Sequence, residues 1–256
     1  ERECSVQRRH QKIIEEAPSV VVTSEERSML FEQTVKIVQK IGYQGAGTIE
    51  YLRSFDGNYY FMEINARLQV EHPVSEIIAG VDLVELQIRV ARSEALSMTQ
   101  EDLKIHGHAM ELRVYAEDPL NDFLPSVGHL DIYKIPVGKG IRVDNGFEEG
   151  MDIPIYYDPM LAKLITYGDT REEAIQLMIK AIDNYQIKGV QTTLPFGKYV
   201  FEHEAFRSGK FDTHFVKKYY SPEVLKKQTE TEEKLAAIIA VKKYMEDQKL
   251  VRLPNK

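Results

Sequence analysis

Apolar and polar residues alternate along the chain with two different periods. Between residues 24 and 41, Phe31, Val35, Val38 and Ile41 recur three or four positions apart, the spacing of one helix face. Thr23 followed by Glu26 is a capping box that starts this helix, and Gly42 stops it. The period then drops to two. "GTIEYLRSF" and "NYYFMEIN" flank Asp56-Gly57, which predicts a β-hairpin. Val6 to Ile14 reads as one strand with charged neighbours. Pro73 to Ala91 reads as a helix in two pieces, broken near Gly80. Further strands are predicted over His108–Tyr115, Leu130–Ile135, Ile141–Asp144 and Met160–Thr166, and helices over Arg171–Asn184 and Leu194–Val200. From Ser221 a charged helix carries an apolar stripe through Leu235, Ile238, Ile239 and Met245, read as a packing face. The class is α+β, with boundaries near residues 104–107 and 220.

A two-residue loop at Asp56-Gly57 makes cross-strand partners whose numbers sum to 113. Glu50 then faces Glu63, and Thr48 faces Asn65. Ile49 meets Ile64 and Tyr51 meets Met62 on the other face, which is expected to be buried. Two carboxylates placed directly opposite, with Cβ atoms about 5 Å apart, repel by up to roughly 1 kcal/mol. Either this is a solvated strand face, or a hard divalent cation sits between the acids, with Asn65 adding an oxygen.

The segment "FMEINARLQVEHP" continues the row, with Glu63, Asn65, Arg67, Gln69 and Glu71 at every second position. A guanidinium is a planar receptor for an oxyanion, and a carboxylate beside it can take a proton. The bland alternative is a surface ion pair between Arg67 and Glu71.

Composition narrows the classes. The chain has 256 residues, 43% of them apolar, enough for one large or two smaller folded domains. Net charge is −7 with scattered Lys and Arg, which argues against a nucleic-acid surface. No apolar run approaches a membrane span. One cysteine, Cys4, excludes an intramolecular disulfide and favours a reducing, cytoplasmic setting; Cys4 itself reads as a structural thiol. His106 and His108 have no acid or cysteine nearby to complete a metal set. They read as structural, as does Asp158 at a turn. No Gly-rich phosphate loop is present.

Taken together, "ERECSVQRRHQKIIEEAPS", "GYQGAGTIEYL", "FMEINARLQVEHPVSE" and "GHAMELRVYAEDP" resemble biotin carboxylase, the ATP-grasp component that activates bicarbonate in biotin-dependent carboxylases. The likeness runs from Glu1 to about Tyr220. "RLQVEHPVSE" followed about forty residues on by "ELRVYAEDP" is its most specific part. It implies the second half of an ATP-grasp domain (1–105), then a biotin carboxylase C-terminal domain (106–220) and a helical tail (221–256). The tail hints at an acetyl- or propionyl-CoA carboxylase subunit.

The resemblance also implies roles. Glu50, Glu63 and Asn65 match the ligands of Mg²⁺ (or Mn²⁺) that hold it against the ATP phosphates. Gln7 and His10 match residues near the nucleotide. Lys12, Arg67, Gln69, Val70 and Glu71 match the bicarbonate site, with Glu71 as general base, and Arg113 matches the cation beside the biotin enolate. Implied partners are a second copy of the chain, a biotin carboxyl carrier protein and a carboxyltransferase subunit. Biotin resides on the carrier, since no Met-Lys-Met acceptor is present. The family's Gly-rich lid and first ATP-binding lysines are not in this sequence, so the chain alone is expected to be inactive. The alternatives are a non-catalytic dimerisation or assembly module, or another ATP-grasp ligase of the carbamoyl-phosphate synthase type.

Overall fold

The computed structural model describes residues 1–250. Its strands are β1 (Glu3–Arg8), β2 (Gln11–Ala17), β3 (Thr48–Arg53), β4 (Tyr59–Asn65) and β5 (His108–Tyr115). Four short strands follow, β6 (Glu117–Asp118), β7 (Leu124–Pro125), β8 (Gly128–His129) and β9 (Ile132–Lys134). The last are β10 (Ile141–Asn145), β11 (Asp152–Ile153), β12 (Met160–Gly168) and β13 (Gln186–Lys188). The helices are α1 (Ser24–Ile41), α2 (His72–Ala79), α3 (Leu83–Ala91), α4 (Arg171–Asn184), α5 (Leu194–Glu202), α6 (Glu204–Arg207), α7 (Phe215–Tyr219) and α8 (Pro222–Leu250).

The centre is an antiparallel sheet in the order β1-β2-β5-β12-β10. It joins strands from before and after the 104–107 boundary, so that boundary does not separate two independent cores. One sheet face packs Met110, Leu112, Val114 and Leu164 against α4 and α5, through Ala174, Ile175, Met178, Phe196 and Val200. The opposite face carries a small apolar patch of Ala17, Ala109 and Ile165 beneath Val74 and Ile78 of α2. The rest of that second face is charged.

Local chemistry explains the helix ends. Thr23 accepts from Glu26 N–H while Glu26 returns the bond to Thr23 N–H, and Gly42 takes a left-handed φ of 61°. Gly80 ends α2 in the same conformation, at φ 68°, which gives the expected break between α2 and α3.

Four expectations need correction. Val6–Ile14 is not one strand but the β1–β2 hairpin, turned by Arg9 and His10 at φ 47° and 65°. The β3–β4 loop has three residues rather than two. Ser54 pairs with Asn58, and Arg53, Leu52 and Tyr51 face Tyr59, Tyr60 and Phe61. A bulge between Glu50 and Tyr51 then restores the register, so Glu50 does face Glu63 and Thr48 faces Asn65. Loop and bulge differ from the expected geometry by one residue in opposite senses, and the two cancel. The hairpin's apolar face is not buried: Met62 is 49% and Ile64 38% exposed, because β3 and β4 form a sheet of their own. The stripe of α8 is likewise exposed at Leu235, Ile238, Ile239 and Met245. That helix is anchored near its start, by Leu225. Of the 221–256 tail, residues 251–256 lie outside the described residues.

Candidate functional site

The bulges decide which side chains meet. In β2, Ile13 and Ile14 are both buried in the main core, and the pairing with β1 shifts between Ile14 and Lys12. A bulge turns two successive side chains to one side. Lys12 and Glu15 therefore share the other side, where they reach the same cluster of charges.

Lys12 is the hub. Its Nζ donates to Glu50 Oε1 at 2.9 Å and to Glu71 Oε1 at 2.8 Å. Glu50 Oε1 also accepts from Gln69 Nε2 at 2.5 Å and from Asn65 Nδ2 at 3.2 Å. Asn65 Nδ2 reaches Glu63 Oε1 at 2.8 Å. On the far side of Glu71, Arg113 Nη2 donates to Glu71 Oε2 at 3.0 Å, and its Nε donates to Glu15 Oε1 at 2.7 Å. A continuous polar chain thus runs Glu63–Asn65–Glu50–Lys12–Glu71–Arg113–Glu15, drawn from four strands and the start of α2.

Glu71 is the N-cap residue of α2, but its side chain does not cap the helix. It is buried and turned to the two cations. Burial pushes its carboxyl up, yet the hydrogen bond and charge of Lys12, with the charge of Arg2, hold it below the usual carboxylate range. Burial lowers the Lys12 ammonium, and the hydrogen bond and charge of Glu71, with the hydrogen bond of Glu50, more than reverse this, so its pKa is raised. Arg113 is raised in the same way against its own burial, mainly by Glu15.

The remaining predicted residues are spread around this chain. Arg67 is exposed and donates to Leu68 O at 3.2 Å and Asn65 Oδ1 at 3.3 Å. No Arg67–Glu71 pair forms, because Glu71 is held by Lys12 and Arg113. The polar row is a strand only as far as Asn65; beyond it the chain bends and Gln69 becomes buried. Val70 offers its carbonyl to Lys163 Nζ at 3.1 Å. Gln7 donates to Cys4 O at 2.9 Å, and His10 is exposed at the hairpin turn. Cys4 Sγ lies 4.0 Å from Glu71 Oε1, and burial pushes its thiol well up. His108 is buried against Glu16 at 2.7 Å, a structural role. Asp158 accepts from Met160 N–H across a turn.

Sequence reasoning missed four contributors. Arg2 spans Gln69, Thr48 and Ser75. Lys163 bridges Val70 O and, at 3.3 Å, Asp144. Glu15 and Glu111 are fully buried. Acids inside the apolar runs "KIIEEA" and "HAMELRV" are the signal that was available for the last two.

Among the described residues no group of three or more His, Cys, Asp and Glu side chains is placed to hold a metal. The donor set here is instead two opposed carboxylates and an amide, all hard oxygen donors of the type Mg²⁺ takes when phosphates complete its shell.

This mixed helix-and-sheet fold is of the ATP-grasp and biotin carboxylase class. Residues 1–99 match the carbamoyl-phosphate synthase L chain ATP binding domain, and residues 111–218 match the biotin carboxylase C-terminal domain. The chain belongs to the biotin carboxylase family. It is 52% identical over 219 residues to a pyruvate carboxylase subunit of Methanothermobacter thermautotrophicus, covering 86% of this chain and 44% of that protein. It is 48% identical over 220 residues to biotin carboxylase 1 of Bacillus subtilis, covering 86% and 49%. The biotin carboxylase domain dimer of Hydrogenobacter thermophilus 2-oxoglutarate carboxylase, solved with MgADP, ADP and bicarbonate, superposes with a TM-score of 0.85. It is 44% identical, and the match covers 88% of this chain and 49% of that one. The chain therefore spans about half the length of the curated relatives it matches. No helix among the described residues is long and apolar enough to cross a membrane.

Proposed function

We propose that this chain supplies the metal, bicarbonate and biotin-facing side of a biotin carboxylase site, which uses MgATP and bicarbonate to carboxylate biotin on a carrier protein. The observation that carries this reading is the pair of hydrogen bonds donated by Lys12 Nζ, which ties Glu50 of the β3–β4 hairpin to the buried acid Glu71. An assembly module would have no need of that link.

The roles follow from position. Glu50, Glu63 and Asn65 would hold Mg²⁺ through hard oxygen donors. The metal, when bound, neutralises charge on the ATP phosphates. Exposed Arg67 and the Gln69 amide orient the bicarbonate oxyanion. Glu71 Oε1 takes the bicarbonate proton, and Lys12 stands beside it to offset the charge that remains. Arg113, one residue layer deeper, presents its guanidinium to the oxygen that becomes negative when the biotin ureido group loses its proton. Fixed cations aimed at developing charge lower the barrier because they need no rearrangement during the reaction. Gln7 and His10 are assigned to the nucleotide edge. The domain limits 1–105, 106–220 and 221–256 belong to the same proposal. So do a carrier protein, a carboxyltransferase and a homodimeric state. The single cysteine supports a cytoplasmic setting.

The test is phosphate release from ATP by the protein expressed from its whole reading frame, with and without bicarbonate. Bicarbonate-dependent release that disappears in Glu71→Gln is expected. Release that ignores bicarbonate, or survives Glu71→Gln, overturns the reading.

A further inference from the structure

Beneath the Arg113–Glu71 contact lies a pair of acids that the mechanism above does not use. Glu15 on β2 and Glu111 on β5 are direct cross-strand partners. Both are completely buried. Side chains so placed leave the same face of the sheet with Cβ atoms about 5 Å apart. Glu15 Oε1 is taken up by Arg113, from Nε at 2.7 Å and from Nη2 at 2.6 Å. Glu15 Oε2 and both oxygens of Glu111 have no hydrogen-bond partner in the protein.

The surrounding cations are already engaged. Lys12 serves Glu50 and Glu71, Arg113 serves Glu15 and Glu71, and Lys163 serves Asp144 and Val70 O. Cys4 is a further titratable group facing Glu15 from β1. No positive charge remains among these groups to balance a second carboxylate beside Glu15. A bare carboxylate in a dry site is the costlier state, so it takes up a proton.

We infer that Glu15 and Glu111 hold one proton between them, Glu111 as the neutral acid and Glu15 as the carboxylate, and that Glu15 is a positioning residue that fixes the Arg113 guanidinium for the carboxylation step. The second part rests on the function proposed above; the first does not. Glu15 Oε1 grips the Nε–Nη2 edge of Arg113, and Nη2 also reaches Glu71 Oε2 at 3.0 Å, so the guanidinium is fixed between the two acids. The titration behaviour agrees. Burial pushes Glu15 up to about 7 even though Arg113 pulls it down. Burial and then the charge of Glu15 push Glu111 well above the ordinary range.

Two measurements on the protein expressed from its whole reading frame test this. Glu15→Gln keeps the shape and one acceptor but removes the charge from Arg113. It is expected to lower kcat for free-biotin carboxylation by about tenfold while KM for ATP stays within about twofold, the split that marks an interaction made in the transition state. Unchanged kcat, or a loss confined to KM for ATP, overturns the positioning role.

The second measurement reads the proton without any activity. Both acids are raised above 4.5, so the folded state binds more protons than the unfolded one. Stability should therefore fall as pH rises from about 4.5 towards 7. Glu111→Gln should fold and should remove most of that slope, because the one extra proton of the folded state goes with it. An unchanged slope, or a Glu111→Gln protein that does not fold, overturns the shared proton. If that protein shows no carboxylation at all, the proposed function fails, yet the unfolding titration still decides the acid pair.

Discussion

At the scale of single residues, Lys12 sets the state of its neighbours. Glu71 lies below the usual carboxylate range because Lys12 overcomes the effect of burial. A depressed acid contributes stability above its ordinary pKa, and that contribution is lost as pH falls through the folded value. Lys12→Met leaves burial in charge, so Glu71 should rise. The acid limb of bicarbonate-dependent ATP cleavage should then move to higher pH, which a pH–rate profile will show; an acid limb that stays in place counts against the role of Glu71 as base. Arg113 and Arg67 separate the two half-reactions. Arg113→Ser should slow biotin carboxylation by at least about tenfold, equivalent to about 1.4 kcal/mol of barrier, and leave ATP affinity nearly unchanged. Arg67→Ala should also impair the bicarbonate-dependent ATP cleavage, since Arg67 stands on the exposed side beside Asn65. Assaying both reactions on both variants distinguishes them.

At the scale of elements, close packing of α5 on the sheet is a testable constraint. A methyl group added at Gly197 would lie 2.5 Å from Leu112 Cδ2, and Leu112 is fully buried. Overpacking of this kind costs about 1–3 kcal/mol, offset by up to about 1 kcal/mol of better helix propensity. Gly197→Ala should therefore be destabilised by a net of about 1–2 kcal/mol in urea unfolding. The helices α1, α2, α3 and α4 were legible because their caps and breaks are written in adjacent residues, Thr23 with Glu26 and Gly80 among them. The opposition of Glu50 and Glu63 was legible for a less secure reason. It rests on a loop and a bulge whose displacements cancel, and no local signal in "IEYLRSFDGNYYFMEIN" announces the bulge. The exposure of Met62 and Ile64 was not legible at all. Alternation tells which residues share a face and says nothing of whether another layer lies against it. Glu15 and Glu111 stayed hidden for a related reason: strand pairing between β2 and β5 spans more than ninety residues, beyond the reach of any periodicity.

At the scale of the whole molecule, the described residues offer the acids and cations of the site but no Gly-rich loop to cradle phosphates. The 256-residue chain tested alone should accordingly release no bicarbonate-dependent phosphate. Robust turnover above a Glu71→Gln control would show that nucleotide binding needs nothing more than these residues. The central sheet has a consequence for how such a site can move. Lys12 and Glu15 stand on β2, Arg113 on the adjoining β5, and Lys163 on β12 beyond it. The backbone positions of these four groups are set by the hydrogen-bonded register of consecutive strands of one lamina. The β3–β4 hairpin belongs to a separate sheet and meets this lamina through the Lys12–Glu50 contact. The hairpin is thus tied to the lamina by side chains and not by a strand ladder. A shift of the hairpin would change the gap between Glu50 and Glu71, whereas the β2–β5 ladder keeps the backbone of Lys12 and that of Arg113 in register.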